Sequence, residues 1–296
     1  MVRRGSPVVQ GTVIIQIRPN RSDAPKKLVP PAGPTIRLVS LVRRSSPFWR
    51  RCAAEDVTIY SPPFSCLAID TACELPSVAL LRAGVMTVRE VPGLRAPSRS
   101  VFEWVRELLD EANTSLGELD CIAFGAGPGS FTGVRVAVAL AQALGYARGL
   151  PLCPVSTLAA LAAGAIQTTS ADAAACCLDA RIGEVYFGVY EKDSQYGVRA
   201  TAADALLRPD AVNLPVHGTF LAVGPGWSAY PELADRLRTR LSAVDPGHLP
   251  SAADVARLAQ SRFLAGKVVL PADARPNYLR NRVASQTEAG NQFRSG

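Results

Sequence analysis

The amino-acid sequence predicts an α/β protein in which mixed β-sheets are flanked by helices. Two features of the 296-residue chain lead to this prediction. Between residues 66 and 165, three short strand patterns follow one another through tight turns, and further strands then alternate with helices. A second group of strands and helices begins near Asp172. A meander followed by helix-linked strands is typical of a sheet with both antiparallel and parallel pairs.

In the first half, short apolar runs predict five strands, and three longer segments carry helical periodicity. Val101, Val105 and Leu108 fall on one face of the first helix, and charged residues lie largely opposite them. Ser98 and Ser156 are the predicted N-caps of the first and third helices. The predicted strands are 66–69, 77–81, 86–91, 120–124 and 152–155, and the predicted helices are 98–113, 132–148 and 156–165.

The second half predicts a further set of strands and two long helices. Two strands flank a polar turn at 179–183, where Arg181 and Glu184 are interpreted as a solvated rim, with a functional role as the alternative. From residue 271 the chain carries Pro and Arg and is predicted to be extended. The predicted strands are 173–178, 184–190 and 220–223, and the predicted helices are 232–243 and 252–265.

The N-terminal segment 1–64 has a different composition from the rest of the chain. It is rich in Pro and Arg, and we expect it to be disordered because Pro blocks helices and sheet interiors. An organellar transit peptide is an alternative, although the many prolines argue against the amphipathic helix it requires. A translation start assigned too far upstream is another alternative, with the natural product beginning near Val57.

The net charge of +7 is confined to that segment. Residues 1–64 hold 11 basic and 3 acidic residues (+8), and residues 65–296 hold 21 and 22 (−1). The predicted globular part is therefore neutral and has no evident footprint for nucleic acid. Seven cysteines without a C-x-x-C pair indicate reduced thiols and a cytoplasmic protein. No apolar run is long enough to span a bilayer, and residues 8–17 make a poor signal peptide.

A glycine-rich loop, GAGPGSFTGVR, lies between a predicted strand and a predicted helix. Backbone N–H groups at a helix start can bind an anion, and an acidic residue at a nearby strand end can position a metal or water beside it. A tight strand-to-helix turn is the alternative, since the loop lacks the Lys of a P-loop. The candidate nucleotide-binding residues are Asp70, Thr71, Gly127, Gly129, Ser130, Thr132 and Gly133.

The helix that follows the loop is apolar on nearly every side. Only Arg135, Gln142 and Arg148 interrupt its run of Val, Ala and Leu. A helix of this kind must be covered all round, so the side away from its own sheet predicts a protein interface. Burial of the whole helix within its own domain is the alternative.

The sequence offers no recognisable catalytic or metal-binding apparatus. Its two histidines, His217 and His248, are 31 residues apart, and no H-x-x-x-H or Cys/His cluster is present. No G-x-S-x-G elbow occurs with a plausible triad. We therefore predict no catalytic residue and no metal site.

Six segments in this order resemble the TsaB (YeaZ) family. They are LAIDTACELPSVALL, GAGPGSFTGVRVAVALAQALG, VSTLAALA, LDARIGEVYFGVYE, VGPGWSAYPEL and RPNYLRNRVA, and they run from about Leu67 to Ala284. The resemblance implies a two-lobed actin-like, sugar-kinase-like fold. It suggests a first lobe at 65–170, a second lobe at 171–285 and a flexible tail at 286–296. Family members usually begin just before the L-A-I-D-T strand, which favours the misassigned start.

The resemblance also implies a role in making N6-threonylcarbamoyladenosine at position 37 of tRNAs that read codons starting with A. In this family the subunit is not the enzyme. It is the dimerisation partner of TsaD, a catalytic paralogue, and the ATPase TsaE joins the pair. The paralogue holds a metal with an H-x-x-x-H pair, and the matching stretch here, 156–161, has no histidine. We expect tRNA to be contacted through the complex, no membrane association, no resident cofactor and at most weak binding of ATP or ADP.

The family is thought to pair through two helices of the first lobe, which match 98–113 and 132–148. A weaker homodimer through the same surface is an alternative. Two other functions stay open: a phosphotransferase or ATPase using Asp70 and Thr71, and a metalloprotease, which the missing histidine pair disfavours. The interface residues expected on this basis are Val101, Val105, Leu108, Val134, Val138, Ala141 and Leu144.

Overall fold

The computed structural model describes residues 14–16, 58–60, 63–90, 98–195 and 197–280. The chain divides into two compact units, Met1–Pro63 and Phe64–Gly296. In the first unit, strand β1 (Ile14–Gln16) pairs antiparallel with β2 (Thr58–Tyr60). Six residues of the segment for which the sequence predicts disorder are thus paired strands, and nearly all the rest of it lies outside the described residues. The predicted tail at 286–296 also lies outside them.

The first sheet of the second unit has five strands in the order β5-β4-β3-β6-β7. Its β5-β4-β3 half is antiparallel, and its β3-β6-β7 half is parallel because helices link the strands. Alternate residues face opposite sides, and α1 and α2 cover one of these sides. The elements are β3 (Cys66–Asp70), β4 (Ser77–Arg82), β5 (Val85–Glu90), α1 (Ser98–Glu111), β6 (Cys121–Gly125), α2 (Phe131–Arg148) and β7 (Leu152–Val155).

The second sheet repeats this layout in the order β10-β9-β8-β12-β13, with β11 also paired to β9. Again one half is antiparallel and the other parallel. The mixed sheets predicted from the sequence are therefore present twice. The elements are α3 (Thr157–Thr169), β8 (Ala173–Arg181), β9 (Glu184–Asp193), β10 (Gly197–Ala200), β11 (Ala205–Leu207), β12 (Phe220–Val223), α4 (Gly226–Ala229), α5 (Pro231–Leu237), β13 (Leu241–Asp245) and α6 (Ala252–Leu264).

Helices α3 and α6 lie between the two sheets, and each packs mainly on the sheet of the lobe to which the sequence did not assign it. Helix α6 packs on β3, β4, β6 and β7 of the first sheet, α3 packs on β8 and β9 of the second, and the two helices touch. Their buried side chains form one core with the inner faces of both sheets. Helices α4 and α5 cover the outer face of the second sheet. The sheet of each lobe is covered by a helix from the opposite side of residue 170. Packing therefore does not follow the lobe boundary that was expected at that residue.

Most predicted elements appear within a few residues of their expected bounds, and 152–155 and 220–223 match in full. The predicted helix 232–243 is wrong, because α5 ends at Leu237 and residues 241–245 form the parallel edge strand β13. Leu233, Leu237 and Leu241 have helical spacing, and they do pack on one cluster. Their shared cluster explains why the pattern suggested a single helix.

We expect Ser77→Ala to destabilise the contact between α6 and the first sheet. The buried Ser77 Oγ accepts a hydrogen bond of 2.8 Å from the N–H of Ala252, the first residue of α6. Removal of the hydroxyl leaves this buried N–H without that acceptor, which costs about 1–3 kcal/mol of unfolding free energy. Urea denaturation measures the loss, and Ser228→Ala, at an exposed hydroxyl, is the matched control. Equal midpoints for the two variants would contradict the expectation.

Candidate functional site

The glycine-rich loop joins the end of β6 to the start of α2 and contains a cis peptide between Gly127 and Pro128. Its Ser130 is the N-cap of α2, and the hydroxyl accepts a 3.3 Å hydrogen bond from the N–H of Gly133. The N–H of Ser130 donates to the carbonyl of Ala72 at 2.7 Å. The loop therefore lies directly against the turn that follows β3.

Close backbone contact accounts for two of the loop glycines. A Cβ at Gly133 would overlap the carbonyl oxygen of Thr71, and a Cβ at Gly129 would overlap that of Ala72. The Thr71 hydroxyl adds a 2.6 Å hydrogen bond to the Gly133 carbonyl. These glycines support the tight-turn interpretation, since protein backbone fills the space that their missing side chains leave.

The structure brings together most of the candidate nucleotide-binding residues but not all of them. Gly127 has a positive φ of 93° and lies beside Val134 and the carbonyl of Asn277. Thr132 directly precedes Gly133 on α2, and its own side chain is exposed. The residues gathered at the turn are Asp70, Thr71, Gly129, Ser130 and Gly133.

Asp70 ends β3 with a fully buried carboxylate. Its Oδ1 accepts a 2.8 Å hydrogen bond from the N–H of Ala72, and its Oδ2 has no hydrogen-bond partner. The carboxylate occupies the space beside Gly125, where a Cβ would come within 2.7 Å of it. Burial raises the pKa of Asp70 to about 6, against the opposing effect of the Ala72 hydrogen bond and with a further rise from nearby Asp254.

The seven side chains expected at a partner interface are all buried inside the chain itself. None is more than 8% exposed, and all belong to the core between the two helices and the first sheet. The assignment of these residues to an exposed face is therefore wrong, because the sheet covers this side of both helices. The seven are Val101, Val105, Leu108, Val134, Val138, Ala141 and Leu144.

The opposite side of α2 is exposed and still mainly apolar. Phe131 is 51% exposed and Tyr146 81%, and Ala139 and Ala143 lie exposed between them. We call this side the α2 face and define it as Phe131, Arg135, Val136, Ala139, Leu140, Ala143, Tyr146 and Ala147. Ala139 and Ala143 lie four and eight residues after Arg135, and residues with this spacing share one side of a helix. The charge of Arg135 could therefore have indicated from the sequence that this side of α2 faces away from the sheet.

Helix α1 offers a more polar surface beside the α2 face. Phe102 is 49% exposed, but the other exposed positions around it are charged. They are Glu103, Arg106, Glu107, Asp110 and Glu111. The apolar part of the surface therefore belongs to α2, although the sequence suggested a contribution from both helices.

The part of the chain that the structure describes also bears on two other classes of site, metal centres and membrane spans. There, no three His, Cys, Asp or Glu side chains are grouped as metal ligands. His217 is exposed, and His248 Nδ1 lies 3.8 Å from Asp245 Oδ2. Within the same residues, no helix has both the length and the apolar character needed to cross a bilayer.

Comparison with known proteins identifies the family. The family model described as "TsaD: tRNA N6-adenosine threonylcarbamoyltransferase" matches residues 93–280. An Escherichia coli (strain K12) protein named tRNA threonylcarbamoyladenosine biosynthesis protein TsaB is 37% identical over 221 residues, covering 74% of this chain and 95% of that protein. The chain belongs to the TsaB family. The protein of the same name from Haemophilus influenzae is 34% identical, with 73% of this chain and 94% of that protein covered.

A solved structure of the TsaB family supports the same conclusion. YeaZ from Pseudomonas aeruginosa is 38% identical and superimposes with a TM-score of 0.67, covering 73% of this chain and all of that one. With the two equivalent mixed sheets described above, this similarity confirms the two-lobed actin-like fold that the resemblance implied.

Gly133→Ala should destabilise the protein by about 1–3 kcal/mol or more, because the added methyl overlaps the Thr71 carbonyl and forces the loop away from the turn. Gly117→Ala is the matched control, since its nearest atom would be 4.0 Å from the new Cβ. Thermal unfolding of both variants measures the difference. A Gly133→Ala protein as stable as the control would show that the contact is not needed.

Asp70→Asn should change how stability depends on pH. The pKa of Asp70 in the folded state lies above its ordinary value of 3.8, so the folded protein holds this proton more tightly than the unfolded chain does. Stability from this group is therefore lost as pH rises from about 4 to about 6. We expect the unfolding free energy of the wild type to fall relative to Asp70→Asn across that window, by up to roughly 3 kcal/mol. Parallel curves from urea titrations would contradict this.

Proposed function

We propose that this chain is a non-catalytic subunit in the biosynthesis of threonylcarbamoyladenosine in tRNA. It acts as the dimerisation partner of a TsaD-type transferase, which modifies position 37 of tRNAs reading codons that begin with A. The names of the curated relatives support the pathway. The match to the TsaD family model supports a partner of related fold.

The observation that carries the proposal is the α2 face. Exposed apolar side chains in one continuous stripe are typical of a surface that another protein covers. The small side chains of Ala139, Ala143 and Ala147 recur every fourth residue, so a partner helix can approach the backbone of α2 closely. A helix of the catalytic paralogue is the proposed occupant.

The residues at the start of α3 support a role without catalysis. In the paralogue, the resemblance places a metal-binding histidine pair in the stretch that matches 156–161. Here Ser156 caps α3 and donates a 2.6 Å hydrogen bond to Asp204, and Thr157 is fully buried. Ser156 thus ties the start of α3 to the second lobe, and the N–H of Thr157 donates to the carbonyl of Gly127 at 3.0 Å.

The remaining partners follow from the same proposal. Since residues 65–296 carry a net charge of −1 (21 basic and 22 acidic residues), tRNA would be held mainly by other members of the complex. The ATPase TsaE would join the heterodimer in the cytoplasm. A second copy of this chain is the competing occupant of the α2 face. No resident cofactor is proposed, and any binding of ATP or ADP would be weak.

Ala139→Glu should weaken binding to the TsaD-type partner at least about tenfold, because a larger, charged side chain would replace a small one and would have to be desolvated in the interface. Monomer stability should stay close to that of the wild type, since Ala139 is exposed. Isothermal titration measures the affinity, and threonylcarbamoyl transfer to tRNA by the mixture should fall in parallel.

Two further substitutions control for this result. Ala229→Glu adds the same charge at an exposed helical position over the second sheet and should bind the partner normally. Ala141→Glu places the charge at a fully buried position and should unfold the first lobe instead. Full binding and transfer with Ala139→Glu would remove the α2 face from the proposal.

A further inference from the structure

The chain segment 271–280, which we call the strap, connects the α2 face to the second sheet. Just before it, Val269 and Leu152 exchange backbone hydrogen bonds of 2.8 and 2.9 Å, which places the segment beside the edge strand β7. The Gln142 side chain then donates to the carbonyls of Pro271 and Ala274, both at 3.2 Å. The strap therefore begins along the side of α2.

Further along, the strap contributes a side chain to the α2 face. The Tyr278 hydroxyl accepts a 2.8 Å hydrogen bond from Arg135 Nε, and its ring lies 6.1 Å from that of Phe131. The Arg135 guanidinium stacks 3.5 Å above the Phe131 ring. These three exposed side chains thus hold one another at the N-terminal end of the α2 face.

The strap ends in an anchor on the second sheet. Arg280 donates hydrogen bonds to the carbonyls of Ala180 and Arg181 at 3.0 and 3.3 Å, and to Glu184 at 2.6 Å. Its side chain is only 18% exposed. The polar turn between β8 and β9 is therefore the attachment point for the strap, which the sequence did not reveal when it suggested a solvated rim. Between the two ends, the N–H of Asn277 donates to Ala126 in the glycine-rich loop at 2.7 Å.

We propose that Arg280 is a positioning residue for the α2 face. It touches no residue of that face, but it fixes the end of the strap two residues beyond Tyr278. Tyr278 in turn holds Arg135 and Phe131 in the conformation in which a partner would contact them. Without the anchor these side chains would gain rotamer freedom, and ordering them again on docking would cost affinity. The inference rests on the proposed docking function of the α2 face.

Arg280→Gln tests this role, and Arg275→Gln is its matched control. Arg275 is an exposed arginine of the same strap that donates to the nearby carbonyls of Ala272 and Ala274. Hydrogen exchange of the full chain without partner is the first measurement. Arg280→Gln should speed exchange in the strap and at the N-terminal turn of α2, and leave α6 unchanged. Arg275→Gln should change neither region.

Affinity for the TsaD-type partner is the second measurement. Arg280→Gln should weaken binding about three- to thirtyfold, and Arg280→Lys, which keeps the charge facing Glu184, should restore part of it. Glu184→Gln should weaken binding in the same direction, and the double variant should lose less than the sum because both changes break one contact.

The outcomes separate this proposal from the proposed function. If the wild type binds and Arg280→Gln binds within about twofold of it, the positioning role is wrong. Unchanged exchange in the strap and at the start of α2 would also overturn it. If the wild type shows no binding at all, the docking function fails and the positioning role that depends on it fails too. If hydrogen exchange in Arg280→Gln is nevertheless faster, Arg280 anchors the strap but has no role in docking.

Discussion

The contact between the turn after β3 and the glycines that open α2 determines how the rest of the first lobe is arranged. The carbonyls of Thr71 and Ala72 lie where side chains at Gly133 and Gly129 would otherwise be. This contact seals the Asp70 carboxylate beneath the loop and fixes where α2 starts relative to the sheet. Because the start is fixed, one side of α2 packs on the sheet and the α2 face is left exposed.

The second sheet uses a related device with a different result. Gly224-Pro225-Gly226 follows β12 as Gly127-Pro128-Gly129 follows β6, and Gly224 and Gly127 have similar φ values of 102° and 93°. A Cβ at Gly226 would overlap the sulfur and the backbone of Cys177 in β8, and a Cβ at Gly129 would likewise overlap the carbonyl of Ala72. Yet the helix that follows, α4, has only four residues. Among the described residues, the two lobes thus share a turn, and the helix that follows it is long in the first lobe and short in the second.

Sequence periodicity was enough to predict most strands and helices, because their apolar residues repeat with period 2 or 3.6. It could not say which side of α2 faces the sheet, since a helix that is apolar all round has no preferred face. This is why residues such as Val138 and Ala141 were assigned to the interface and Ala139 was not. The hydrogen bond between α6 and β4 joins residues 175 positions apart, and the Arg280–Glu184 contact joins residues 96 apart, so local patterns do not encode them.

The charges on α2 bear on which partner covers its exposed face. The helix contains Arg135 and Arg148 and has no carboxylate anywhere along its length. If two copies of this chain packed α2 against α2, the charged side chains of the two α2 helices would all be arginines, and a two-fold axis would repeat this mismatch. A paralogue can instead place an acidic side chain opposite Arg135, which already stands over Phe131 with its position held by Tyr278. The charges of α2 thus agree better with the proposed heterodimer than with a symmetric α2-to-α2 homodimer.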